Sequence, residues 1–242
     1  MDLPQYPALD FKTDFVPKCG PGFSPGAGGY FHGCSPGGPA RIVFFGTDFG
    51  TERYWNEEVT QSGGERRTQA TLCNLRCLVE EAGVDPRSCH LTNAVLALAK
   101  RDDMTGNDRV YRRKEYRDYL ELCGDFHEDW ISRHKPELVV LMGTPNIRTY
   151  RRFVFKRALD PVHQVLEAEW GDYRAPWESV YQDQKELVRT DPGQPDVLWM
   201  FHPSFRNSNP QFRRLQASKA EKRERREGVW KTVVRHLKTY GQ

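Results

Sequence analysis

Arg41-Ile42-Val43-Phe44-Phe45-Gly46 decides how the chain is read. Its unbroken apolar run leaves no polar face, so it is not a strand with one side in water. Such a strand is covered on both faces, as in a parallel sheet. Two further stretches repeat the pattern: Glu137-Leu-Val-Val-Leu-Met142, flanked by Pro136 and Gly143, and Asp196-Val-Leu-Trp-Met-Phe201. His90-Leu-Thr-Asn-Ala-Val95 is the remaining strand candidate. Helical spacing fills the intervals. Leu72, Leu75, Val79 and Ala82 form one stripe within 65–82, stopped by Gly83. Tyr116, Tyr119, Leu120, Cys123, Phe126 and Trp130 form another within 111–134, despite Gly124, and 145–158 also reads as helix. Val229, Trp230, Val233, Val234 and Leu237 share a face, so the last half of 211–239 docks as a helix. The expected fold is α/β, a three-layer α/β/α arrangement with a central four-stranded parallel sheet. Right-handed crossovers then bring every strand's C-terminal end to one edge, where open α/β sheets bind ligands.

Residues 1–40 stand apart from this pattern. They hold 15 of the chain's 36 Gly and Pro residues and read as an irregular arm, followed by one domain over 41–242. With 242 residues, 38% hydrophobic and 29% charged, the chain is long enough for a core without disulfide staples. No run of 18 apolar residues and no leader pattern is visible, so a cytoplasmic monomer without a membrane partner is expected. The six cysteines, at 19, 34, 73, 77, 89 and 123, contain no C-x-x-C pair and are expected to be reduced thiols. Cys73 and Cys77, four apart on a helix, are expected to pack in the core rather than bind metal.

The net charge of +3 is unevenly spread. Residues 211–242 carry ten Lys/Arg against three Asp/Glu, and the other 210 residues carry 26 against 30. Arg148, Arg151, Arg152, Lys156 and Arg157 form a second basic block. Such clusters suit either a polyanionic partner or a solvated helix face.

The segments that follow the strands carry the chemistry. After the first comes Gly46-Thr47-Asp48-Phe49-Gly50, which lacks phosphate-loop spacing. A carboxylate there serves as a base or electrostatic stabiliser, or caps a helix. Asn93, at the end of the second strand, offers a donor and an acceptor, either to backbone or to the edge of a base. Gly143-Thr-Pro-Asn146 follows the third strand and His202-Pro-Ser-Phe-Arg-Asn207 the fourth. A neutral imidazole at His202 can donate to a carbonyl oxygen gaining charge, or be a satisfied edge histidine.

Taken together, G-x-D-x-G at Gly46–Gly50, T-N-A-V at Thr92–Val95, L-M-G at Leu141–Gly143 and H-P-S at His202–Ser204 resemble the uracil-DNA glycosylase superfamily, in the right order over about 41–215. The resemblance implies an enzyme that flips a deaminated base from DNA and hydrolyses its N-glycosidic bond, without a cofactor. It implies that Asp48 positions the water and steadies the cationic sugar, and that His202 supports charge on the departing base. Asn93 would bond the uracil carbonyl and N3–H, and the backbone around Gly46, Thr47 and Asp48 would complete the pocket. Ser204 would contact phosphate, and Arg206 and Asn207 fall in the loop that fills the vacated stack.

Several positions depart from the superfamily's pattern. Phe49 stands where Pro is usual, and Thr47 where Gln or Glu is. Gly50 replaces a Tyr that in some members blocks 5-substituted bases, which leaves room for them. Gln61 is near the place of the usual stacking Phe, so Tyr54 or Trp55 would stack on the base unless they pack a helix instead. Some families carry an iron–sulfur cluster on four cysteines, but the spacing here differs, so no cluster and no metal is expected. Alternative readings are a non-catalytic DNA-binding relative, or a glycosylase for another deaminated or 5-modified base.

Overall fold

The computed structural model describes residues 15–17, 41–46, 70–94, 97–99, 117–143, 186–190, 192–203 and 218–241. Seven strands fall in these segments: β1 Phe15–Pro17, β2 Ile42–Gly46, β3 Cys89–Asn93, β4 Ala97–Ala99, β5 Leu138–Met142, β6 Leu187–Val188 and β7 Asp196–Met200. Three helices accompany them: α1 Ala70–Ala82, α2 Arg117–His134 and α3 Lys219–Tyr240.

The main sheet has five strands in the order β3-β2-β5-β7-β6, one more than the sequence led us to expect. β2 runs parallel to β3 and β5, and β5 parallel to β7. The added strand, β6, pairs antiparallel with β7 through two residues, too short a run to stand out by composition. A second sheet pairs β1 with β4, neither of them expected. β1 lies within the Gly/Pro-rich arm, and Pro17 ends it, where a missing N–H is tolerated.

Every residue of β2 and β5 is buried, as their unbroken apolar runs require. On one face Ile42, Phe44, Leu138, Val140, Met142, Leu198 and Met200 pack with residues of α1 and α3. Each such side chain contributes roughly 1.5–3 kcal/mol on leaving water. Phe45 points the other way and meets the His127 ring of α2 edge-on, with centroids 5.1 Å apart. Cys123, His127 and Ile131 are all buried and lie four residues apart, so they form the inward line of α2.

α1 ends as its glycine predicts. Gly83 has φ +66°, its N–H donates to Glu80 O and that of Val84 to Val79 O. This pairing satisfies two terminal carbonyls that would otherwise be orphaned. The core side of α1 is Leu75, Leu78, Val79 and Ala82. Cys73 and Cys77 do not pack in the core: Cys73 is half-buried and Cys77 exposed. Each lies two residues from Leu75, about 200° around the helix, which turns both away from the sheet.

α3 begins with a reciprocal cap, Glu221 N donating to Ser218 Oγ and Ser218 N to Glu221 Oε2. The expected stripe, Val229, Trp230, Val233, Val234 and Leu237, is buried, and Tyr240 extends it. Trp230 Nε1 donates to Glu81 at 2.8 Å, so its polar edge is satisfied at the seam with α1. At the opposite end Tyr240 donates to Asp196 at the start of β7, which also accepts from Arg189. None of the described helices is long and apolar enough to cross a membrane.

Candidate functional site

Parallel pairing brings the C-terminal ends of β2, β3, β5 and β7 to one edge. Three of the sequence-predicted site residues lie there. Gly46 and Asn93 are register partners at the ends of β2 and β3. His202 follows β7 by two residues.

Gly46 and Asn93 fit only because the first is glycine. A Cβ on Gly46 would overlap Asn93 Oδ1. The Asn93 amide therefore lies over the end of β2 rather than away from the sheet. The next residue, Ala94, donates its N–H to Gly46 O at 2.9 Å and continues the pairing past the last strand residue.

His127 supports the same corner from α2. Its Nε2 lies 3.2 Å from Ala94 O, and since a carbonyl only accepts, the ring donates. Burial lowers the His127 pKa to about 4, while the Ala94 and Asn93 carbonyls pull it upward. The ring is thus a neutral clasp on the segment that carries Asn93.

His202 is held from two sides. Asn74 Nδ2 of α1 donates to Pro203 O at 2.7 Å, which pins the turn just beyond the imidazole. Phe201, itself buried, packs on Trp230 of α3 with ring centroids 6.3 Å apart. The imidazole keeps some exposure, yet enough protein surrounds it that burial lowers its pKa to about 4. It is therefore neutral near pH 7 and able to donate one N–H.

Asn93 and His202 sit on the outer two of four neighbouring strands, so about 14 Å separates the strand axes. The strands between them both end in glycine or lead into it. Gly46 closes β2, and Gly143 follows β5 with φ +87° and its N–H on Met200 O at 2.7 Å. The φ at Gly143 belongs to the region that side-chain-bearing residues avoid. The edge thus carries two glycines at its middle, an amide on one flank and a neutral imidazole on the other.

Thr47, Asp48, Phe49, Gly50, Tyr54, Trp55, Ser204, Arg206 and Asn207 lie outside the described residues, as do Gln61, Thr144–Asn146 and the basic block at 148–157. Among the described residues, no three His, Cys, Asp or Glu side chains are grouped to hold a metal ion. Two supporting residues escaped the reading of the sequence. His127 was signalled by its four-residue step from Cys123 along an otherwise apolar stripe. Asn74 carried no signal, because its partner is a carbonyl 129 residues away. No protein-family model matches the chain, and no curated protein matches it.

Proposed function

We propose that the protein is a monofunctional DNA glycosylase that flips uracil out of DNA and hydrolyses its N-glycosidic bond, in a three-layer fold whose working part is the four parallel strands. The observation that carries the reading is that Asn93 and His202 flank one C-terminal sheet edge, with Gly46 and Gly143 on the strands between them. An amide and a neutral imidazole are complementary to a base that presents carbonyls and an N–H. As the bond breaks, negative charge collects on the leaving base, and a neutral N–H donor at His202 stabilises it without first giving up a proton. Asp48, two residues beyond Gly46, supplies the carboxylate that positions water and faces the cationic sugar. The clasp at His127 and the tether from Asn74 keep the two flanks at fixed spacing, which such chemistry requires.

The test is incubation with uracil-containing oligonucleotides, single- and double-stranded, followed by alkali. Strand scission at the uracil is expected, and intact strands in both would overturn the reading. Gly50 favours one second reading, a glycosylase that accepts 5-modified uracils, and a panel of substituted bases separates the two. Salt-sensitive DNA binding with no release of any base would point instead to a non-catalytic DNA-binding relative.

A further inference from the structure

The stripe that buries the second half of α3 continues into its first half with a change of chemistry. Val229, Trp230, Val233, Val234, Leu237 and Tyr240 face the core. Stepping back by three and four from Val229 and Trp230 gives Arg226, and the same steps then give Arg223, Lys222 and Lys219. These four sit at i, i+3, i+4 and i+7, in line with the apolar stripe. The acids of that half, Glu221, Glu224 and Glu227, fall outside the line.

The helix also outruns the sheet. Tyr240 meets Asp196 at the start of β7, and Trp230 meets Phe201 just past its end. Ten helical steps cover about 15 Å, and the five extended steps from Asp196 to Phe201 about 17 Å. The two elements therefore keep level. Lys219 lies eleven residues ahead of Trp230, so the first half of α3 extends about 16 Å past the C-terminal edge of the sheet. The first residue of α3 buried in the core is Val229. Lys219 and Arg223 are exposed, and Lys222 and Arg226 half-buried.

We infer that this basic line, Lys219, Lys222, Arg223 and Arg226, follows the phosphate backbone of DNA on the His202 side of the sheet's C-terminal edge. The inference rests on the glycosylase reading for its choice of partner, but it concerns binding rather than chemistry. A line of cations about 10 Å long suits consecutive phosphates of one strand better than a compact anion. It would hold the strand beside the edge while the base is turned into it.

The experiment compares two triple variants of the full chain. Lys219→Gln/Arg223→Gln/Arg226→Gln removes charge from the line. Lys231→Gln/Arg235→Gln/Lys238→Gln removes the same charge from exposed positions on the half that covers the sheet. Affinity for a short uracil-containing duplex is measured against salt by fluorescence anisotropy. Each phosphate contact contributes about 0.9 to the log–log slope, so the first triple should flatten it by two to three, and the second should leave it near wild type. Equal slopes for both triples, or no change in the first, would overturn the inference. Lys219→Gln alone, expected to cost about 0.9, provides the same test if the triple folds poorly. Wild-type binding with the flattened slope but no base release would overturn the glycosylase reading and leave this inference standing. Base release with unchanged slopes would do the reverse.

Discussion

The Asn93 amide occupies the space that a side chain on Gly46 would need, although the two residues belong to different strands. The overlap is with the far end of a short side chain, so relief comes by rotating Asn93 rather than by moving backbone. Gly46→Ala is therefore expected to cost only about 1 kcal/mol of stability. On the glycosylase reading its effect on base release should be much larger, roughly 10²-fold, because the displaced amide would no longer meet the base. Thermal unfolding and single-turnover base release on the same sample measure the two effects.

Asp48→Asn should lower base release by roughly 10²–10⁴-fold, the range for a positioned acid–base group. His202→Ala should lower it by roughly 10²–10³-fold, as for loss of one donor to developing charge. Burial lowers the His202 pKa from 6.5 to about 4, so the acid limb that belongs to it should fall near pH 4. A kcat/KM profile that breaks near 6.5 and loses that break in His202→Ala would show an exposed, protonatable ring instead.

Stability should fall in acid before the carboxylates titrate. Burial lowers the pKa of His90 to about 3 and of His127 to about 4, and nearby His134 and His127 add to the effect at His90. The unfolded chain binds protons at both from about pH 6.5, whereas the native state does not until far lower. Their contribution is complete above 6.5 and is lost as the pH falls toward 4. His202, also lowered to about 4, adds to them, so at about 1.4 kcal/mol per pH unit for each of the three residues the loss between pH 6.5 and 5 is up to about 6 kcal/mol. Urea midpoints at pH 7 and 5 measure it, and His127→Gln should remove about a third of the dependence.

Trp230 joins three elements: its ring is buried on Phe201 of the segment after β7, and its N–H reaches Glu81 of α1. Trp230→Ala should cost about 3–5 kcal/mol. Trp230→Phe keeps most of the ring but leaves Glu81 without that donor, and should cost about 1–2 kcal/mol. Because Phe201 adjoins His202, the alanine variant should also slow base release in the fraction that remains folded. Chemical denaturation and activity at low temperature distinguish the losses.

The sheet was readable from sequence where its strands are apolar throughout. β2, β5 and β7 are such runs, and two-face burial leaves them no other role. β3 was placed with its boundaries shifted by one or two residues, because Ala94 and Val95 carry the apolar pattern past the last strand residue. β6 was not readable: two residues beside a buried Glu186 give no periodicity. α3 was legible in its docking half, where the stripe is apolar, but its projecting half follows the same face with cations. Of the site, Gly46, Asn93 and His202 were found because they end apolar runs. His127 and Asn74 act through carbonyls distant in sequence: the four-residue step from Cys123 marks His127 as inward-facing but not its partner, and nothing marks Asn74.

The tether from Asn74 to Pro203 also sets how the site breathes. The loop bearing His202 opens only if that bond breaks and Phe201 leaves Trp230, and both partners belong to helices of the main core. Opening there is therefore coupled to loosening of α1 and α3 rather than to a private loop motion. In hydrogen exchange the amide of Gly143, which donates to Met200 O just before this turn, should behave like those of the helices, with protection close to that of global unfolding. On the glycosylase reading, the flank at His202 is then a fixed wall against which a base is received.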